Sequence, residues 1–233
     1  LLFAGAWGPA SLQHALQEYG FRVVSVDLES TDGFDIMEDA PWQALLKRLR
    51  DGEFHGVITC PPASTYRSGC KARSYSHPFG IPRKLWTEHA VTDTAGKRVH
   101  AANVLGRKSS EACIIMADLG RPYVWVMPDA IAGECSAEQL DYVKVLKLRG
   151  GQRYGTNGAS YGTPHRHPTA VISNVAGFAT MHKSCDESLP PTVAEHRLLW
   201  RRHLRSARDF SMQLAVTIAC HLSQHAWAPS KYQ

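Results

Sequence analysis

The sequence predicts an α/β fold, a parallel sheet with helices on both faces, from three observations. Short apolar runs alternate with segments of helical period from the first residue onward, the pattern of strands joined by crossover helices. A glycine turn, Gly5-Ala6-Trp7-Gly8-Pro9, follows the first run. The second run, FRVVSVD from Phe21 to Asp27, ends on a carboxylate.

Each element follows from its own pattern. Leu1 to Ala4 reads as a buried strand. Pro9 suits the first turn of a helix reaching Tyr19, with Leu12, Ala15, Leu16 and Tyr19 on one face and Gly20 as its stop. Pro41 to Arg50 is an amphipathic helix with Trp42, Leu45, Leu46 and Leu49 inward, and Gly56 to Cys60 is a third strand. A basic loop fills about 61 to 108, and a helix within it or after it reaches Leu119 with Ala112, Ile115, Met116 and Leu119 on one side. Tyr123 to Met127 is a fourth strand, Ser136 to Leu148 a helix, and Gln152 to Thr156 with Thr169 to Ser173 a closing hairpin. Thr192 to Leu204 and Ser211 to Leu222 read as C-terminal helices, within a region of about 192 to 224.

A chain of 233 residues with 44% hydrophobic and 20% charged residues has the composition of one folded domain spanning 1 to 233. No apolar stretch approaches the roughly 20 residues of a membrane helix. The chain opens on strand-like residues with no signal-peptide pattern. Six cysteines lie scattered with no CxxC pair, which indicates neither a disulfide framework nor a zinc ribbon and points to a reducing, intracellular compartment. His182 and Cys185 are spaced as half a metal site, without a second pair, so no metal is assigned.

The net charge is +5, unevenly spread. Arg67, Lys71, Arg73, Arg83, Lys84, Lys97, Arg98, Arg107 and Lys108 face only Glu88 and Asp93 between Pro61 and Lys108, an asymmetry that suits a polyanion as well as a solvated loop. Tyr66, Tyr75, Phe79 and Trp86 interleave with these cations, as stacking platforms for bases or as local packing. Arg197, Arg201, Arg205 and Arg208 fall along one stripe of a helix, able to meet phosphates without reading sequence.

Strand, glycine turn, helix and an acid-terminated second strand form the layout by which doubly wound sheets hold an adenosine-containing cofactor. Here Gly5 and Gly8 are the glycines, Asp27 the acid, and Asp35 of Gly33-Phe34-Asp35-Ile36 a further polar contact. The turn is not GxGxxG, which argues against a dinucleotide.

In order, LLFAGAWGPASLQHAL, VVSVDLES, GFDIMED, GVITCPPASTYRSG, PYVWVMPDA, YGTPHRHPTAVISN and DFSMQLAVTIACHL resemble motifs of the cytosine C5 DNA methyltransferases, especially a compact branch lacking a large recognition domain. The resemblance spans nearly the whole chain. It implies a Rossmann-like S-adenosylmethionine methyltransferase sheet, with the cofactor near Phe3, Gly5, Gly8, Asp27, Asp35 and Pro61. It also implies a nucleophilic cysteine after Pro-Pro, a glutamate on the next strand, and a supporting arginine at Arg166 of Tyr161-Gly162-Thr163-Pro164-His165-Arg166.

Two departures alter the expected chemistry. The family's Pro-Pro-Cys is Pro61-Pro62-Ala63, and its Glu-Asn is Met127-Pro128. A methyl group cannot add to carbon six of cytosine, and that addition activates the ring for methylation. Cys60, the one candidate substitute, lies three residues from Ala63 along a strand, roughly 10 Å of extended chain. Trp7 stands where the family's cofactor turn has glycine and blocks S-adenosylmethionine unless the indole swings out.

The resulting expectation is a degenerate, catalytically inactive methyltransferase-like domain serving as a nucleic-acid-binding or scaffold module in a larger protein or ribonucleoprotein assembly. Arg67, Arg73, Arg166, Arg197, Arg201 and Arg205 are its nucleic-acid contacts, with little sequence preference because the stretch from Ser173 to Ser206 is short. The alternative is an active methyltransferase on a nucleic-acid base with altered catalytic residues.

Overall fold

The computed structural model describes residues 1–2, 12–26, 35–62, 64–66, 70–129, 135–157, 168–181, 218–220 and 222. They form a mixed α/β structure around an open four-stranded sheet. The strands are β1 (Val57–Thr59), β2 (Tyr123–Pro128), β3 (Gln152–Asn157) and β4 (Pro168–Ser173), in the order β1-β2-β4-β3. β1 and β2 are parallel, with Thr59 opposite Trp125. β4 runs antiparallel to both β2 and β3. The expected hairpin is present, and its second strand is the one seated against β2.

Leu2 extends the sheet beyond β1 through parallel bridges to both Thr59 and Val26. Leu2 N–H donates to the Ile58 carbonyl (2.8 Å), Cys60 N–H to the Leu2 carbonyl (3.0 Å) and Val26 N–H to the Leu1 carbonyl (2.8 Å). Of the two expected strands Leu1 to Ala4 and Phe21 to Asp27, the described residues form only these single bridges at Leu2 and Val26, not full strands.

Alternation along the strands divides the core in two. Val57, Tyr123, Trp125, Met127, Ala170 and Ile172 point to one face and pack with α2 (Asp39–Arg50), α3 (Asp93–Asp118) and α4 (Asp141–Leu148). Ile58, Val124, Val126 and Val171 point to the other, against α1 (Leu12–Glu18), Phe178 and the helical residues Ile218, Ala219 and Leu222. Strands buried on both sides explain why their sequences are continuous apolar runs.

Two boundaries differ from expectation. The region from 61 to 108 is a loop only to Thr92, whose Oγ1 accepts from Ala95 N–H (3.2 Å) and caps the 26-residue α3. The segment Ser136 to Leu148 is not one helix. A capping box between Ser136 and Gln139 closes a single 3-10 turn, Leu140 is extended, and α4 begins at Asp141. The helix start at Pro9, the Tyr161 to Arg166 segment and Thr192 to Leu204 lie outside the described residues, as does most of Ser211 to Leu222.

Candidate functional site

Ligands of open α/β sheets bind beyond the carboxyl ends of the strands, where the strand order reverses. That reversal falls at Leu2, which has the later Val26 on one side and the still later Thr59 on the other, all parallel. Leu2, Val26 and β1 therefore run in one direction, toward one edge of the sheet. Of the expected cofactor contacts, Phe3, Gly5, Gly8 and Asp27, with Trp7, lie outside the described residues. Asp35 is exposed, and its carboxylate accepts from Met37 N–H (2.7 Å) in the turn entering α2.

β1 and β2 run out side by side, so Pro61 and Pro62 meet Met127 and Pro128. Together with Tyr66, Trp125 and Tyr142 they line a cavity of about 10 Å³, room for about one water. Ala63 lies outside the described residues, between Pro62 and the turn Ser64–Tyr66. The topology thus gathers the sequence neighbours of Ala63 and the side chain of Met127 at one rim.

The space is filled by aromatic side chains. Tyr142 stacks on Trp125 with ring centroids 6.0 Å apart and planes 10° from parallel, and its hydroxyl lies 3.4 Å from that of Tyr66. It lies over Gly106 of α3, where a Cβ would come 2.7 Å from the Tyr142 oxygen. Only glycine lets the ring lie this close to the helix. Sequence reasoning missed Tyr142; the glycine inside a long helix was the available signal.

This rim lacks reactive groups among its described lining residues. Burial, with help from the neighbouring Tyr142, pushes the Tyr66 phenol far above its ordinary range, against the opposing pull of Arg73. Burial also raises Tyr142, outweighing the Tyr66 hydrogen bond and the charges of Arg73 and Arg107. Both remain neutral phenols near pH 7, able to hydrogen-bond but not to act as bases. Cys60 packs with Ile58 in the cluster on the opposite sheet face from Trp125 and Met127, so its side chain is turned away from this cavity.

The expected nucleic-acid contacts separate. Arg67, Arg166, Arg197, Arg201 and Arg205 lie outside the described residues. Arg73 differs from its expected phosphate-binding role, being only 5% exposed. Its Cζ sits 4.0 Å from the centre of the Tyr66 ring, and its guanidinium donates to Thr65 Oγ1 (3.0 Å) and to the carbonyls of Pro78 and Val99. The cation folds the loop instead of facing solvent. Lys108 is likewise buried, its ammonium donating to the carbonyls of Ile36 (3.0 Å) and Met37 (3.1 Å) and to Asp39 (3.2 Å). Lys71, Arg83, Lys84, Arg98 and Arg107 are exposed.

Among the described residues no three His, Cys, Asp or Glu side chains gather as a metal site. No helix among them is long and apolar enough to cross a membrane. Comparison with known proteins finds no matching family model, no matching curated protein and no matching solved structure.

Proposed function

We propose that this chain is a degenerate C5-cytosine-methyltransferase-like domain without methyl-transfer chemistry, serving as a nucleic-acid-binding or scaffold module in a larger assembly. One observation carries the reading. Where Pro61, Pro62 and Met127 converge, stacked Trp125 and Tyr142 leave only about 10 Å³. A flipped base needs a pocket of its own size with a nucleophile beside it. The departures at Ala63 and Met127 agree with this, and the reversal of strand order at Leu2 supports a Rossmann-like frame beneath it.

The same reversal favours a second reading, an active S-adenosylmethionine-dependent methyltransferase with altered residues, because a cofactor crevice belongs at that edge. Calorimetry with S-adenosylmethionine, followed by transfer of a labelled methyl group to DNA, RNA and protein, separates the two. The degenerate reading expects no transfer to any acceptor. Transfer abolished by Cys60→Ala would replace it with the second.

Nucleic-acid binding should rest on phosphate contacts, so affinity should fall steeply with salt and vary little among oligonucleotides. Affinity that survives high salt with a strong preference for one sequence would refute that part.

A further inference from the structure

A second cavity, of about 140 Å³, lies between the loop before α3 and the first turns of α3 itself. Its walls include Phe79, Trp86, His100 and Asn103. The cleft is open to solvent, with Phe79 and His100 exposed at its edge. We infer that this cleft receives one unstacked base of a single-stranded nucleic acid. The inference rests on the nucleic-acid reading above and adds to it a place and a mode of contact.

The rings are fixed before any ligand arrives. Trp86 Nε1 donates to the Ile81 carbonyl (2.8 Å), and a Cβ on Gly96 would collide with the indole, so the ring is seated directly against α3. Phe79 is 41% exposed, but its carbonyl accepts from Asn103 Nδ2 (2.7 Å) and its ring meets Tyr142 edge to face at 6.3 Å. Pre-organised aromatic faces lose little freedom on binding. Gly80, at φ +115°, keeps the floor open where a Cβ would come 2.7 Å from Val99 Cγ1.

Size and charge select the occupant. A volume on the order of ten waters admits a single heterocycle, not a helix or a folded partner. Cations flank the Trp86 wall: Arg83 Cζ lies 5.8 Å from the Trp86 ring centre, and the neighbouring Lys84 is exposed. Asp93 is engaged by Lys97 at 2.9 Å, and Glu88 is the other exposed acid of the turn. His100, Asn103 and Arg107 follow one another along one face of α3, so the Arg107 cation lies where a backbone would leave the cleft. An aromatic slot with a cationic border is the combination that holds single strands without reading sequence.

The test compares a ten-nucleotide thymidine oligomer with an abasic oligomer of the same length, by fluorescence anisotropy at low salt. The base-bearing strand should bind at least about fivefold tighter, the lower end of what one stacked base contributes. Phe79→Ala should erase the difference and leave abasic binding unchanged. Photo-crosslinking of an oligomer carrying one 5-iodouracil should label peptides between residues 79 and 103, which decides the matter without any variant. Equal affinity for the two oligomers, or crosslinks only elsewhere, would overturn the cleft while the nucleic-acid reading stands. Binding of neither oligomer would overturn both.

Discussion

Two cavities share the helix α3 and differ in almost every respect. The one at the ends of β1 and β2 holds about 10 Å³ around stacked rings. The other, at the start of the helix, holds about 140 Å³ and an exposed aromatic wall. Phe79 and Tyr142, 6.3 Å apart, separate them. The first is closed by side chains that belong to the core, whereas the second opens to solvent beside the exposed Phe79.

The comparison breaks most clearly at Trp125, which is 1% exposed. If the first cavity is now core, Trp125→Ala should cost about 3 kcal/mol in urea unfolding, near the low end for a buried aromatic. The low end applies because the indole Nε1 is buried without a partner, and its removal relieves that cost. A loss under about 1 kcal/mol, with new affinity for S-adenosylmethionine or a base, would show that the stack is a removable plug and not core.

How far this contrast was legible in the sequence depended on what kind of information fixed each part. The strands could be read because β1, β2 and β4 are buried on both faces, which leaves uninterrupted apolar runs. The break at Leu140 could not, because helical periodicity continues through Ser136 to Leu148 while the extended conformation of Leu140 that ends the first turn is local. Thr92 and Asp93 did carry a helix-start signal, masked by the basic residues around them. Charge counting treated Arg73 and Lys108 as surface cations. Their burial depends on carbonyls brought together by the fold, Pro78 of the same loop and Val99 for Arg73, and the distant Ile36 and Met37 for Lys108, and no local pattern encodes that. Convergence of Met127 with Pro61 and Pro62 was foreseeable from the motifs, whereas closure by Tyr142 was not, since α4 had no predicted contact with the site.

On the open side, Gly80→Ala sharpens the contrast. Its φ of +115° is unfavourable for any residue with a side chain, and the new Cβ would lie 2.7 Å from Val99 Cγ1. Both effects act in the same direction, so a loss of about 2 kcal/mol is expected. Thermal melting measures it, and discrimination between base-bearing and abasic strands should vanish with the cleft's floor. Unchanged melting would mean that this loop yields easily and that the cavity is not held open by the fold.

The smallest effect concerns the border of the filled cavity, where Arg153 of β3 ties Asp129, just beyond β2, to Glu138 beside Ala137. Burial raises the pKa of Glu138, but hydrogen bonds from Lys147 and Arg153 outweigh it and hold the carboxyl below its ordinary value. A depressed folded pKa means stability that is present above the unfolded value of about 4.3 and is lost as pH falls through the folded one. Glu138→Gln should therefore cost about 1 kcal/mol at pH 7, a figure kept small because the pairs are partly solvated. In acid urea melts the deficit should shrink once pH drops below the ordinary glutamate range, as wild type loses the same charge. A deficit constant with pH would assign the residue's contribution to packing against the 3-10 turn instead of to the ion pairs that brace this edge.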